Sequence, residues 1–177
     1  IDLARDVKNS VRIPVAVKIS PYFTSMSYMA GEFDKIGINA LVMFNRFYQP
    51  DLDIENLKVV SNLKLSTSQE LRIRIRWVAI LFGRISADMA ITGGVHTAED
   101  ALKAMMAGAK VAMMTSALLK NGIEHISKVK SDMIKWMEEH EYESISQMQG
   151  SMSQRSVAEP AAYERANYMK ILGSYLM

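Results

Sequence analysis

The sequence predicts an α/β fold of parallel strands with helices packed against them, and three observations carry the prediction. Asp88 to Leu119, DMAITGGVHTAEDALKAMMAGAKVAMMTSALL, reads as strand, Gly-Gly turn, helix, Gly turn, strand, polar turn, helix. Connections this short between strands and intervening helices imply parallel crossover units. Ile13–Ile19 and Leu41–Phe44 are nearly unbroken apolar runs, the pattern of strands buried on both faces. Helical spacing of apolar residues fills the intervals, as in Ala98–Ala107 and the segment from about Ile123 to His140.

Composition narrows the class. The chain has 177 residues, 49% of them hydrophobic, and a formal charge of +2, enough material for one core. Charged residues are spread along the chain, so no nucleic-acid partner is expected. There is no cysteine, which excludes disulfides, thiolate metal sites and a cysteine nucleophile or base within this chain. Every apolar stretch falls short of the ~20 residues that a membrane helix needs, so no membrane partner is expected either. No signal peptide is visible and a cytoplasmic location is expected. The chain begins at Ile1, without a methionine, and a preceding part removed by processing, cloning or gene truncation is expected.

In chain order, the first strand carries Lys18 near its carboxyl end, where an ammonium is costly unless it reaches a cleft, an anion or the rim. A helix from about Ser25 to Ile36 follows, with Gly37 as its C-cap. Leu41–Phe44 runs into Asn45-Arg46-Phe47-Tyr48. Asn45 would emerge at the same rim as Lys18, either to read a planar polar substrate or to bond its own backbone as a turn former. Gln49–Ser68, with Asp51, Asp53 and Glu55, is read as a solvated loop rather than a metal site. Leu71–Arg76 alternates with period two, which suggests a short extended entry with an arginine face that either grips phosphate or, the preferred reading, is solvated, and a helix from Trp77 to Gly83 after it.

Thr97 and Asp100 form a capping box for the helix Ala98–Ala107, which stops at Gly108. In the long helix, Ile126, Val129, Met133 and Met137, extended by Trp136, form the stripe expected to face the sheet. His96, His125 and His140 lack metal-ligand spacing and are read as surface or cap residues. Ser144 caps a short helix, 150–159 is polar loop, and Pro160 opens a last helix, Ala161–Leu172. Residues 1–150 are therefore read as the main domain, and 151–177 as a loop and helix packed on it.

The carboxyl ends of neighbouring parallel strands lie side by side, which brings Gly93-Gly94 next to Thr115-Ser116. Glycines allow close approach of an anion to backbone N–H groups, so the pair reads as a phosphate cradle. The structural alternative is two tight βα turns of the kind every such fold needs.

The strings PVAVKISPYF, LVMFNRFYQPD, TGGVHTAEDALKAMMAGA with MTSALL, and YESISQMQGSMSQ with ERANYMK resemble the dihydroorotate dehydrogenase family over nearly the whole chain. The resemblance implies a TIM-barrel (β/α) fold of which about the C-terminal four units, a half-barrel, are present with C-terminal helices. It implies FMN as cofactor, with Gly93, Gly94, Thr115 and Ser116 at its phosphate and Lys18 at the polar edge of the flavin. It implies Asn45 as a ligand of the dihydroorotate or orotate ring. No residue here can be assigned as the family's catalytic base, which would precede Ile1. Half a barrel exposes two sheet edges, so association of two copies into a homodimer is expected. Two other readings stay open: a non-catalytic half-barrel that binds phosphate or flavin as a dimer or with a partner, and a different phosphate-binding barrel enzyme.

Overall fold

The structure, a computed structural model, describes residues 1–46, 49–164 and 168–174, without the Lys170 side chain. Its strands are β1 (Ala16–Ile19), β2 (Ala40–Met43), β3 (Asp51–Asp53), β4 (Lys58–Val60), β5 (Asp88–Thr92) and β6 (Val111–Met113). β1, β2, β5 and β6 form one parallel sheet in that order, with Val17, Leu41 and Met89 on one row and Ile19, Met43, Ile91 and Ala112 on another.

Period-two alternation sorts this sheet into two unlike faces. Leu41, Met43, Met89, Ile91 and Ile19 are buried beneath helices. Lys18, Val111 and Met113 belong to the other face and are exposed. The helices that supply the core are α2 (Met26–Lys35), α3 (Leu71–Leu81), α4 (Ala98–Ala107) and α6 (His125–Glu139), through residues such as Phe33, Val78, Ala104 and Val129. Strands laid down in sequential order with helices over one face are the arrangement of a β/α barrel, here an incomplete one. A doubly wound sheet would reverse its strand order and cover both faces.

Several helices start where the sequence directs. Ser25 Oγ accepts from Tyr28 N–H at 3.4 Å at the head of α2, and Gly37 (φ 76°) turns the chain out of it. The Thr97–Asp100 capping box heads α4 and Gly108 ends it. Ser144 caps α7 (Ile145–Met148). α5 (Thr115–Asn121) follows β6 directly.

Several expectations need correction. A helix, α1 (Asp2–Ser10), precedes the first strand, where no element is anticipated from the sequence. The segment read as a solvated loop contains a hairpin of β3 and β4, because Asp53 takes the N–H groups of Glu55 and Asn56 into a side-chain-closed turn. Leu71–Arg76 is not extended: it is the first half of α3, which runs unbroken to Leu81. Ile126 is 50% exposed, so the stripe on α6 begins at Val129. The expected last helix is a 3₁₀ turn at Pro160–Tyr163 and a short α8 (Tyr168–Gly173), and residues 165–167 between them lie outside the described residues. Among the described residues, no helix is long and apolar enough to cross a membrane.

Candidate functional site

Because the four strands are parallel, their carboxyl ends share one rim, and a cavity of about 300 Å³ opens there. Lys18 from β1, Phe44 and Arg46 after β2, Thr92 at the end of β5 and Gly93 after it, and Thr115 and Ser116 after β6 all line it. α3 and the segment before it close the remaining side with Ser66, Glu70 and Arg74. Its volume lies at the lower end of the range for small-molecule sites.

The lining is strongly cationic, with Lys18, Arg46 and Arg74 facing one carboxylate, Glu70. Arg46 Nη2 lies 3.6 Å from Glu70 Oε1, and both side chains are about a third exposed. Arg74 is buried, and its guanidinium donates from Nε to the Thr92 carbonyl and from Nη1 to the Glu70 carbonyl, both at 2.5 Å. Burial pushes its pKa below the ordinary arginine range; Glu70 opposes that shift and Arg46 adds to it.

Ser66 ties the turns together. Its N–H donates to Ser116 Oγ at 3.1 Å, its hydroxyl accepts from Gly94 N–H at 3.2 Å, and the same hydroxyl lies 3.2 Å from His96 Nε2. Behind it, buried Asp100 Oδ2 accepts from Ser68 Oγ, His96 N–H and Thr97 N–H at 2.6, 3.0 and 3.1 Å. Two loops from different parts of the chain are thus pinned to the N-terminal end of α4.

Of the residues expected from the sequence, Lys18, Gly93, Thr115 and Ser116 meet at the cavity. Gly94 stands behind them, its N–H engaged by Ser66 and its Cα face against the backbone of Leu71. Asn45 lies between the lining residues Phe44 and Arg46, and its N–H donates to the Ile19 carbonyl at 2.9 Å. Its Oδ1 is buried without a hydrogen-bond partner among the described residues. Phe47 and Tyr48 lie outside the described residues. Among the described residues, no group of three or more His, Cys, Asp or Glu side chains is arranged to hold a metal ion.

Ser66, Glu70 and His96 are site residues that sequence reasoning missed, and the preferred reading of Arg74 as part of a solvated face is wrong, since it is buried. A signal for Arg74 was present: Leu71, Arg74, Val78 and Leu81 share one face at helical spacing, and all four are buried. An arginine on the apolar stripe of a helix needs a local reason, and reading the segment with period two hides the stripe. His96 and His125 do more than cap: His125 Nε2 donates to the His96 carbonyl at 2.7 Å while the His96 ring meets Ser66.

The family model described as Dihydroorotate dehydrogenase matches residues 1–137. Among curated relatives, the chain is 29% identical over 141 residues to the Methanocaldococcus jannaschii protein called dihydroorotate dehydrogenase B (NAD(+)), catalytic subunit, covering 78% of this chain and 46% of that one. It is 28% identical over 152 residues to the protein of the same name from Thermoplasma volcanium, covering 84% and 50%. A solved structure of DHODH from Eimeria tenella in complex with ferulenol superposes with a TM-score of 0.62 at 19% identity, over 76% of this chain and 37% of that one, which bears on the fold. The chain spans about half the length of the curated relatives it matches. By its family-model match and the order of its barrel units, the chain belongs to the dihydroorotate dehydrogenase family.

Proposed function

We propose that this chain forms the cofactor-phosphate and substrate side of an FMN-dependent oxidoreductase that converts dihydroorotate, or a closely similar cyclic amide acid, to its unsaturated product. The observation that carries the proposal is the cationic cavity at the strand ends, where Lys18, Gly93, Thr115 and Ser116 meet. A phosphate monoester fits this chemistry: hydroxyl donors at Thr115 and Ser116, a glycine turn with φ 82° at Gly93, and an excess of positive charge.

Bound FMN would supply the two-electron acceptor for a C–H donor. The Lys18 ammonium, exposed on the barrel's inner face, would oppose negative charge at the polar edge of the flavin. Asn45, between the lining residues Phe44 and Arg46, would offer its side-chain amide to the substrate ring. None of these residues is placed to remove a proton from carbon, and the base is not assigned to this chain.

The test is an absorbance spectrum of the concentrated protein, mixed with FMN and desalted. Retention of flavin bands near one FMN per chain is expected, reduced several-fold by Lys18→Met. A colourless desalted protein would defeat the reading of the cavity as a flavin site.

The open faces of the sheet favour a second element of the reading. β1 and β6 each have one neighbour within the sheet, and Val111 and Met113 stand 47% and 43% exposed on the inner face. Two copies related by a twofold axis along the strands would set β1 of one beside β6 of the other and bury both inner faces in one closed barrel. Sedimentation at micromolar concentration should then give about twice the 19.9 kDa of one chain. A monomer would remove the homodimer from the proposal and leave the cavity untouched.

A further inference from the structure

We infer that Arg74 is an anion-holding residue of the cavity, fixed by two backbone carbonyls so that its remaining nitrogen serves a phosphate group at the Gly93 turn. The identity of the anion as the phosphate of a flavin nucleotide rests on the function proposed above; the placement of the cation does not.

Three observations point the same way. First, Arg74 is 6% exposed, and taking a guanidinium this far out of water is costly unless its charge is answered. Yet its hydrogen-bond partners are the neutral carbonyls of Thr92 and Glu70, while the Glu70 carboxylate faces Arg46 and the Thr67 N–H. Second, Nη2 has no hydrogen-bond partner among the described residues. It is also not sealed in protein, since the buried and unpartnered side-chain atoms are Asn45 Oδ1 and Ser151 Oγ. Third, Nη2 lies against the glycine turn: a Cβ placed on Gly93 would come within 2.9 Å of it. A donor that is held rigid, charged and directed to a glycine turn on a cavity wall is a preorganised half of a phosphate contact. Burial of the guanidinium, with Arg46 nearby, lowers its pKa, so a bound dianion would relieve an existing cost as well as form a new contact.

The test compares FMN with riboflavin, which lacks the phosphate, by flavin fluorescence titration of the full chain and of Arg74→Gln and Arg74→Lys. Arg74→Gln should lose about tenfold or more in FMN affinity while riboflavin affinity stays within about twofold. Equal losses for both flavins would make Arg74 a brace of the Gly93 turn and overturn the inference, as would an unchanged FMN affinity. If Arg74→Gln does not fold, Arg74→Lys decides, because an ammonium gathers its donors at one point and cannot span the two carbonyls and the anion as the planar guanidinium fork does: a several-fold drop in the preference for FMN over riboflavin supports the inference, and an unchanged preference overturns it. If the wild-type chain binds neither flavin, the flavin reading fails on its own, and inorganic phosphate decides for Arg74. A rise in melting temperature with phosphate over chloride at equal ionic strength, abolished in Arg74→Gln or in Arg74→Lys, supports it; no rise in the wild type overturns it.

Discussion

Gly94→Ala is expected to destabilise the chain by about 2–6 kcal/mol, read as a shift of the urea unfolding midpoint. Gly94 is buried at φ 85°, in the left-handed region that costs a residue with a Cβ about 1–3 kcal/mol in a constrained site. A Cβ there would also stand 2.4 Å from Leu71 N and 2.8 Å from Leu71 Cα, and backbone cannot step aside as a side chain can. Leu71 is 2% exposed at the start of α3, so relief requires shifting the helix that carries Val78, Leu81 and Arg74, at a further cost of about 1–3 kcal/mol. Gly37→Ala is the control: φ is 76° but nothing lies within 4 Å of the added carbon, and about 1–2 kcal/mol is expected. Equal costs at the two positions would show that α3 does not rest on the Gly94 turn.

The comparison bears on what the sequence can and cannot convey. A Gly-Gly pair after a strand announces a close approach but not what approaches. At Gly94 the close neighbour is the protein's own α3, while at Gly93 it is the Arg74 guanidinium. The strands at Ala16–Ile19, Ala40–Met43, Asp88–Thr92 and Val111–Met113 were legible because parallel strands under helices leave apolar runs, and α2 and α4 because Ser25 and the Thr97–Asp100 box mark their starts.

What was not legible has physical causes of a different kind. Leu71–Arg76 alternates perfectly, but with about 3.6 residues per turn the same letters place Leu71, Arg74 and Val78 on one buried face, and packing on the sheet selects that period. The hairpin depends on one carboxylate closing a turn, a local bond that composition does not reveal. At the site, Lys18, Gly93, Thr115 and Ser116 were legible because parallel topology alone brings strand ends together. Ser66 and Arg74 come from the connection between β2 and β5, whose path over the rim is set by tertiary contacts such as those from Ser66 to Gly94 and Ser116.

Asp100 fixes that path, and Asp100→Ala is expected to cost about 3–4 kcal/mol. Its carboxylate is 5% exposed and its Oδ2 alone accepts from Ser68 Oγ, His96 N–H and Thr97 N–H. Truncation takes the acceptor from three donors at a part-buried junction, and each donor left without a partner costs about 1–3 kcal/mol, softened where water enters. Thr97→Ala removes the other half of the same capping box, in which Asp100 N–H donates to Thr97 Oγ1 at 3.2 Å, and should cost about 1 kcal/mol. The excess of Asp100→Ala over Thr97→Ala in urea unfolding therefore measures the tie to Ser68 and the His96 turn rather than the cap. Because Ser68 heads the turn that leads into α3, releasing it loosens Glu70 and Arg74 together with Ser66. Asp100→Ala should thus weaken FMN binding more than riboflavin binding, in the same sense as Arg74→Gln, because Arg74 and Ser66 stand on the phosphate side of the cavity. If Asp100→Ala is no costlier than Thr97→Ala, Asp100 is only a helix cap, and the rim must be held by the Ser66 contacts alone.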